Sequence, residues 1–287
     1  MFEKRAYLLE ITLRRPTESA FRRLIDRLAM CRYNEFYVYR TKESKPLDGK
    51  LSAYAAMKGI ALKEIGRDEL AELERDSTVS VATEAARSLA GRIEELRDRM
   101  AKAEADGRLR KCRRFLVTDF SDGFDWHSPV VSLPGIVLGG YVASVGAKAS
   151  KIDLERELSL FLDAPIAGHL LRLGTLYLRG GAVRKDASEF FNILSSDRGY
   201  SRHPGLTDSI LTEVSTIALG VMKALEPYLP LSECAKDLQY TALLLVAACN
   251  RRNEARLRTI KEELAKMWRR GFDSFGCAEA LAKLPRF

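Results

Sequence analysis

"AYLLEITLRRPTESAFRRLIDRLAMCRYNEFYVYR", residues 6–40, decides the fold class of this chain. Its first part, Ala6–Leu13, has the apolar density of a buried strand. A helix is predicted next, because Pro16 is typical of a helix start, Thr17 is a suitable N-cap and apolar residues then recur at helical spacing. "EFYVYR", residues 35–40, is rich in aromatic and β-branched residues and predicts a second strand.

The same alternation continues along the chain. "KLSAYAAMKG" predicts a helix that ends at Gly59, and "IALKEIG" predicts a short third strand. A long charged stretch from Asp68 to about Leu109 predicts helix, with a break near 77–79 as an alternative. "RFLVTDF", Arg114–Phe120, is the clearest strand and leads into a polar loop. Strands that alternate with helices predict a parallel sheet with right-handed crossovers.

The second half of the chain has a different pattern. From Asp153 onward the sequence offers amphipathic helices and no strand. We therefore predict an α/β domain over residues 1–150 and an all-α domain over residues 151–287, with the boundary near Ala147–Lys151.

Composition and charge narrow the class of protein. The chain has 287 residues, 46% hydrophobic and 30% charged, as is ordinary for a globular protein. The longest apolar run, Tyr240–Cys249, is shorter than the roughly 18 residues that a membrane helix needs. Charges interrupt the N-terminal segment where a signal peptide would be apolar. These features predict a cytoplasmic protein with no membrane association.

The formal charge of +8 does not by itself predict a nucleic-acid partner. Basic residues are interleaved with acidic ones, and aromatic side chains that could stack on bases do not accompany them. Five cysteines and three histidines are scattered without a C-x-x-C pair, so neither a metal site nor a disulfide framework is expected. The sequence contains no glycine-rich phosphate-binding motif, so no cofactor is predicted.

Four segments, taken in order, resemble one family. "RRFLVTDFSDGFDWHSPVVSLPG", residues 113–135, is similar to the last barrel strand and loop of bacterial family-20-like glycoside hydrolases, the β-N-acetylhexosaminidase relatives, whose form is T-D-W-G-D-x-G-H-W-Q-P-x-x-x-S-x-P-G. Residues 8–40 resemble that family's first two strands. "EIGRDELAEL", residues 64–73, is similar to its catalytic I-G-x-D-E-x-x-x-L, and residues 267–281 weakly resemble its closing segment.

The resemblance implies a substrate-assisted hydrolysis of terminal N-acetyl amino sugars, in which the substrate's 2-acetamido group is the nucleophile. Asp68 would orient that group, and Glu69 would be the general acid on the leaving oxygen. On the same grounds, Trp126 would stack on a sugar ring. The remaining residues that the resemblance implies for substrate binding are Asp119, Asp122 and, beside the family's first-strand arginine position, Arg14.

Departures from the family pattern leave alternatives open. A complete eight-stranded barrel takes roughly 200 residues or more, whereas four predicted strands lie within residues 1–150. The expected fold is therefore a reduced, open TIM-barrel-like α/β part followed by an all-α domain, with an open sheet edge that a homodimer could cover. A degenerate, non-catalytic relative that binds carbohydrate or another protein is the alternative function, and a basic module for an anionic partner is a third. For Asp68 and Glu69, the alternative is the charged first turn of a surface helix.

Overall fold

The computed structural model describes residues 2–11, 14–40, 46–77, 79–83, 88–111, 113–120, 125–145, 149–181, 187–196, 203–250, 254–274 and 276–284. It is a mixed α/β protein with a five-stranded parallel sheet and many helices. The strands are β1 (Lys4–Ile11), β2 (Glu35–Arg40), β3 (Ala61–Ile65), β4 (Val79–Ala82) and β5 (Arg114–Asp119). They are arranged in the order β3-β2-β1-β5-β4.

Five helices accompany the sheet, and the rest of the described chain adds seven more. The first group is α1 (Glu18–Met30), α2 (Gly49–Met57), α3 (Arg67–Asp76), α4 (Ile93–Ala105) and α5 (Leu133–Val145). The second group is α6 (Leu154–Leu158), α7 (Ala167–Gly174), α8 (Glu189–Ser195), α9 (Asp208–Leu225), α10 (Glu233–Cys249), α11 (Glu254–Gly271) and α12 (Cys277–Lys283). As predicted, no strand occurs among the described residues after Asp153.

Strand β4 corrects the prediction of a continuous helical stretch between β3 and β5. Val79 and Val81 are buried while Ser80 between them is exposed, which is the alternation of a strand with one covered face. β4 pairs in parallel with β5, so the chain returns to the sheet between α3 and α4. The β-branched valines favour this extended conformation over a helix.

Helices cover both faces of the sheet, and the strand order explains which helix lies where. The steps β1 to β2, β2 to β3 and β4 to β5 all run in one direction across the sheet, so right-handed crossovers place their helices on one face. The step from β3 to β4 runs back across the sheet and places α3 on the other face. There Leu70 and Leu73 of α3 pack with Leu8, Tyr37 and Leu116 of the three central strands.

The larger core lies on the opposite face and continues into the helical part of the chain. It joins strand residues such as Phe36 and Val117 with residues of α10 and α11 such as Leu245 and Trp268. Backbone hydrogen bonds tie the start of α1 to the end of α11, because Thr17 N–H donates to Gly271 O over 2.9 Å. The predicted division into two domains stays a prediction.

Helix α5 lies unusually close to its neighbours. A Cβ on Gly139 would lie 2.4 Å from Val117 Cγ2, and a Cβ on Gly140 would lie 2.5 Å from the carbonyl oxygen of Cys31. Both distances are far below van der Waals contact, so the packing of α5 on β5 and on the end of α1 requires glycine at these two positions.

None of the described helices combines the length and the apolar character needed to cross a membrane. The four described cysteines, Cys31, Cys234, Cys249 and Cys277, are free thiols.

Candidate functional site

A cavity of ≈ 490 Å³ lies where the carboxyl ends of β1 and β5 meet the helical part of the chain. Its walls come from α1, from the turn before α5, from the start of α10 and from the end of α11. Much of the wall is apolar, and six of these residues are Leu9, Leu24, Val130, Leu133, Ile136 and Met267. The carboxyl edge of a parallel sheet is the usual place for a ligand site in α/β proteins.

Arg14 enters the cavity wall just after β1 and is held by the loop that follows β5. Its guanidinium donates to the His127 carbonyl oxygen and lies 2.8 Å from Nε2 of the same histidine. Since a guanidinium can only donate, His127 Nε2 is the acceptor in this contact. The Asp125 carboxylate is 3.9 Å from Arg14 Nε, and the Phe272 ring centroid is 4.8 Å from Arg14 Cζ. Arg14 is therefore fixed by contacts on several sides.

Asp119 closes β5 at the same edge of the sheet. Its two carboxylate oxygens accept hydrogen bonds of 2.8 Å from the hydroxyl groups of Tyr7 and Thr83. Burial raises the pKa of Tyr7, and the adjacent Asp119 charge raises it further, so the phenol remains a donor. A carboxylate has about four acceptor positions, so Asp119 can still accept from a ligand. Glu10, at the end of β1, adds a further carboxylate to the wall.

The helical side of the cavity is also charged. Arg270 of α11 donates to Glu233 over 2.8 Å and to Asp237 over 2.7 Å. Burial raises the pKa of Asp237, an effect that the Arg270 guanidinium opposes. Asp163 accepts from the Ser232 hydroxyl and from Glu233 N–H at the start of α10. Burial alone would raise the pKa of Asp163, but hydrogen bonds to the carboxylate outweigh it and the pKa is lowered.

Cys234 also lines the cavity, beside Arg27. Burial raises the pKa of this thiol to about 11, although the Arg27 charge acts in the opposite direction. The thiolate is the reactive form of cysteine, so Cys234 is not an activated nucleophile at neutral pH.

Asp68 and Glu69, the predicted catalytic pair, lie elsewhere. Both are exposed in the first turn of α3, and the cavity wall does not include them. β1 and β2 separate the end of β3 from the end of β5, which at ordinary strand spacing is about 14 Å. The resemblance implied that Asp68 and Glu69 share a site with Asp119. The structure does not bring these residues together.

Glu69 has a structural task at this position. Its Oε2 accepts the Gly66 N–H over 2.7 Å and so satisfies a backbone donor at the start of α3. A complete capping box also has a hydrogen bond from the Glu69 N–H to the side chain of the N-cap residue. Gly66 has no side chain to accept it, so only one half of the capping box is present.

Replacing Glu69 with alanine is expected to lower the free energy of unfolding by about 0.5–1 kcal/mol, since the cap and a favourable helix-dipole charge are both lost. Glu72→Ala, an exposed substitution in the same helix, is the matched control and should change stability by less than half of that. Urea denaturation followed by circular dichroism measures both variants. Equal effects of the two substitutions would contradict the capping role.

Trp126 requires a correction. The resemblance implied a ring that stacks on a sugar, with a hinge between the sheet and the helices as the alternative, but this side chain is only 1% exposed. Its ring packs on Phe191 with centroids 5.8 Å apart, and its Nε1–H donates to Ala280 O over 3.2 Å. The indole thus joins the loop after β5 to α8 and α12. Asp122, another predicted binding residue, lies outside the described residues.

Of the predicted binding residues, Arg14 and Asp119 share the cavity. Sequence reasoning missed the side chains supplied by α1 and by the helical half, among them Arg23, Arg27 and Asp237. The weak resemblance of residues 267–281 to a closing barrel segment was a usable signal, because that stretch contains Arg270 and Phe272 of the cavity wall.

Comparison with models of known protein families finds no match, and no curated protein matches the chain. The chemistry of the cavity and the ordered motifs are therefore the basis for a functional proposal. The described residues contain no group of three or more His, Cys, Asp or Glu side chains placed to hold a metal ion.

Proposed function

We propose that this protein is a non-catalytic relative of family-20-like glycoside hydrolases that binds a carbohydrate in the cavity at the sheet edge. The observation that carries the proposal is the placement of Arg14 and Asp119. They belong to motifs more than 100 positions apart in the chain, yet both line one cavity, Asp119 at the end of β5 and Arg14 just after the adjacent strand β1.

The strand order supports a relationship to a barrel. Written as β4-β5-β1-β2-β3, it follows the chain in cyclic order, with the last strand paired to the first. A barrel has that order around its whole circumference. An open sheet with a break between β3 and β4 corresponds to a barrel that lacks its middle strands. α3 covers the face that would line the barrel interior, and the cavity lies at the carboxyl edge of the sheet on the other side, towards α1.

The cavity chemistry suits a sugar. A volume of ≈ 490 Å³ lies within the usual range for small-molecule sites, about 300–1,000 Å³. A pyranose ring offers hydroxyl groups that both donate and accept, together with apolar C–H faces. The walls offer guanidinium donors such as Arg14, carboxylate acceptors such as Asp119, and apolar side chains such as Leu133. An N-acetyl amino sugar is the class that the resemblance implies.

A catalytic role has less support. A general acid at neutral pH needs a partly dry pocket that favours its protonated form. Glu69 is instead exposed and bonded to the backbone of its own helix. The second strand ends in Tyr39 and Arg40 followed by Thr41, where the related enzymes have a carboxylate.

Titration calorimetry with N-acetylglucosamine and N-acetylgalactosamine tests the proposal. We expect saturable binding of at least one sugar by the wild type. Ala20→Trp, which adds an indole to the cavity wall, should weaken that binding at least tenfold, because the added ring occupies ligand volume. Ala53→Trp, the same change at an exposed position of α2, is the matched control and should bind as the wild type does.

The same sugars as chromogenic glycosides separate binding from catalysis. We expect no turnover above background for the wild type or for Glu69→Gln between acidic and neutral pH. Turnover by the wild type that disappears in Glu69→Gln would establish the hydrolase instead. An absence of binding by any N-acetyl amino sugar would overturn the proposal itself.

A further inference from the structure

We propose that the carbohydrate bound in this cavity carries a negatively charged group, a carboxylate or a phosphate, and that Arg23 and Arg27 hold it. This inference rests on the proposed function and names the substrate class of the same site.

Arg23 and Arg27 lie one turn apart on α1, and both line the cavity. Arg23 donates to Ser19 Oγ over 2.8 Å, and Arg27 lies 3.8 Å from Cys234 Sγ. Among the described residues, neither guanidinium forms an ion pair with a carboxylate. Arg22 on the same helix is a useful contrast, because it lies off the cavity and pairs with Glu18 at 2.8 Å.

The other arginines of the cavity already have acidic neighbours. Arg270 pairs with Glu233 and Asp237, and Arg14 lies beside Asp125. The wall carboxylates nearest to α10 are occupied as well, since Asp163 accepts backbone N–H groups at the start of that helix. Glu10 and Asp119 at the strand ends bring the wall to five carboxylates against four guanidinium groups, so cationic groups are in excess only along α1, at Arg23 and Arg27.

Two guanidinium groups one helical turn apart repel each other, and both remain charged at any accessible pH. An anion placed between them replaces that repulsion with charge-assisted hydrogen bonds. The planar fork of arginine matches the paired oxygens of a carboxylate or a phosphate. A neutral sugar in the same position would leave both guanidinium groups without a counter-charge.

Ser132 provides a second, independent observation that points to a ligand. It lines the cavity from the turn before α5 and is only 4% exposed. Its hydroxyl has no hydrogen-bond partner among the described residues. A buried hydroxyl without a partner is unfavourable, and a sugar hydroxyl in the cavity would supply the partner.

The test compares acidic and neutral sugars on the same protein by titration calorimetry. The probes are N-acetylglucosamine, its 6-phosphate, glucuronate and inorganic phosphate. We expect at least one acidic sugar to bind tenfold or more tightly than N-acetylglucosamine, and this preference to weaken in high salt. If the 6-phosphate binds more tightly than glucuronate, the recognised anion is a phosphate; if glucuronate binds more tightly, it is a carboxylate.

Substitutions test whether Arg23 and Arg27 cause the preference for acidic sugars. In the double variant Arg23→Gln with Arg27→Gln, the acidic and neutral sugars should bind within twofold of each other. Arg23→Gln alone, at an exposed position, should lose part of the preference without loss of fold. Arg22→Gln is the matched control and should keep the full preference.

The outcomes are distinguishable. Equal binding of acidic and neutral sugars by the wild type overturns this inference and leaves the proposed function standing. Inorganic phosphate that binds as tightly as the phosphorylated sugar also overturns it, because the site would then recognise an ion rather than a sugar. If neither N-acetylglucosamine nor its 6-phosphate nor N-acetylgalactosamine binds at millimolar concentration, the proposed function fails and the inference fails with it.

Discussion

Gly140→Ala is expected to destabilise the protein by about 3 kcal/mol or more, at or beyond the upper end of ordinary overpacking effects. A Cβ at this position would lie 2.5 Å from the Cys31 carbonyl oxygen and 2.8 Å from Cys31 Cβ. The first of these atoms belongs to the backbone, so no side-chain rotation relieves the clash. Helix α5 would have to move away from the end of α1, and its contacts with β1 and β5 would weaken.

Gly220→Ala is the matched control for this substitution. Gly220 is exposed within α9, and a Cβ there would meet nothing within 4 Å. Alanine at an exposed helix position should stabilise the protein by about 0.5–1 kcal/mol, the opposite sign from Gly140→Ala. Urea denaturation of the three proteins measures both effects. If Gly140→Ala unfolds at the wild-type urea concentration, α5 does not pack as closely as the structure indicates.

Trp126→Ala is expected to lower the free energy of unfolding by about 3–5 kcal/mol, the range for removal of a large buried aromatic side chain. The loss combines the packing against Phe191 with the hydrogen bond from Nε1 to Ala280 O. Trp126→Phe should have a smaller effect, since it keeps a ring in the core and loses the hydrogen bond. Leu231→Ala, at a side chain that is 93% exposed, is the control and should be nearly neutral.

Sugar titration distinguishes the two roles considered for Trp126. Trp126→Phe should be folded at low temperature and should bind the sugar within about threefold of the wild type, a difference of less than 1 kcal/mol. A variant with wild-type stability and lost sugar binding would show instead that the indole contacts the ligand, as the resemblance implied.

Much of the sheet could be predicted from the sequence because its central strands have strong local patterns. β1 contains the apolar run Ala6–Leu9, β5 contains the apolar run Phe115–Val117, and β2 is aromatic and β-branched. β4 was not predicted because it has four residues, of which Val79 and Val81 carry the pattern, and it lies between charged helical segments. Its identity as a strand depends on pairing with β5, which is a tertiary contact.

The candidate site was predictable only at the strand ends. Parallel strands bring their carboxyl ends to one edge, so Arg14 and Asp119 could be placed there from the chain alone. Arg23 and Arg27 lie on an amphipathic helix, and periodicity predicts the polar face of that helix but not what approaches it. Trp126 has the same sequence context whether its ring meets a sugar or the core. The packing of the helical half settles that question.

The pairing of β1 with β5 has a consequence for how the chain folds. Lys4 lies opposite Arg114 in the register, so the central pair of the sheet joins residues 110 positions apart. During synthesis, β1, β2 and β3 can associate early, but the other edge of β1 can pair only after β5 has been synthesised. Such distant pairing slows folding and leaves an apolar strand edge unprotected meanwhile. A nascent chain stalled before residue 114 should therefore be the form that chaperones recognise and that aggregates most readily.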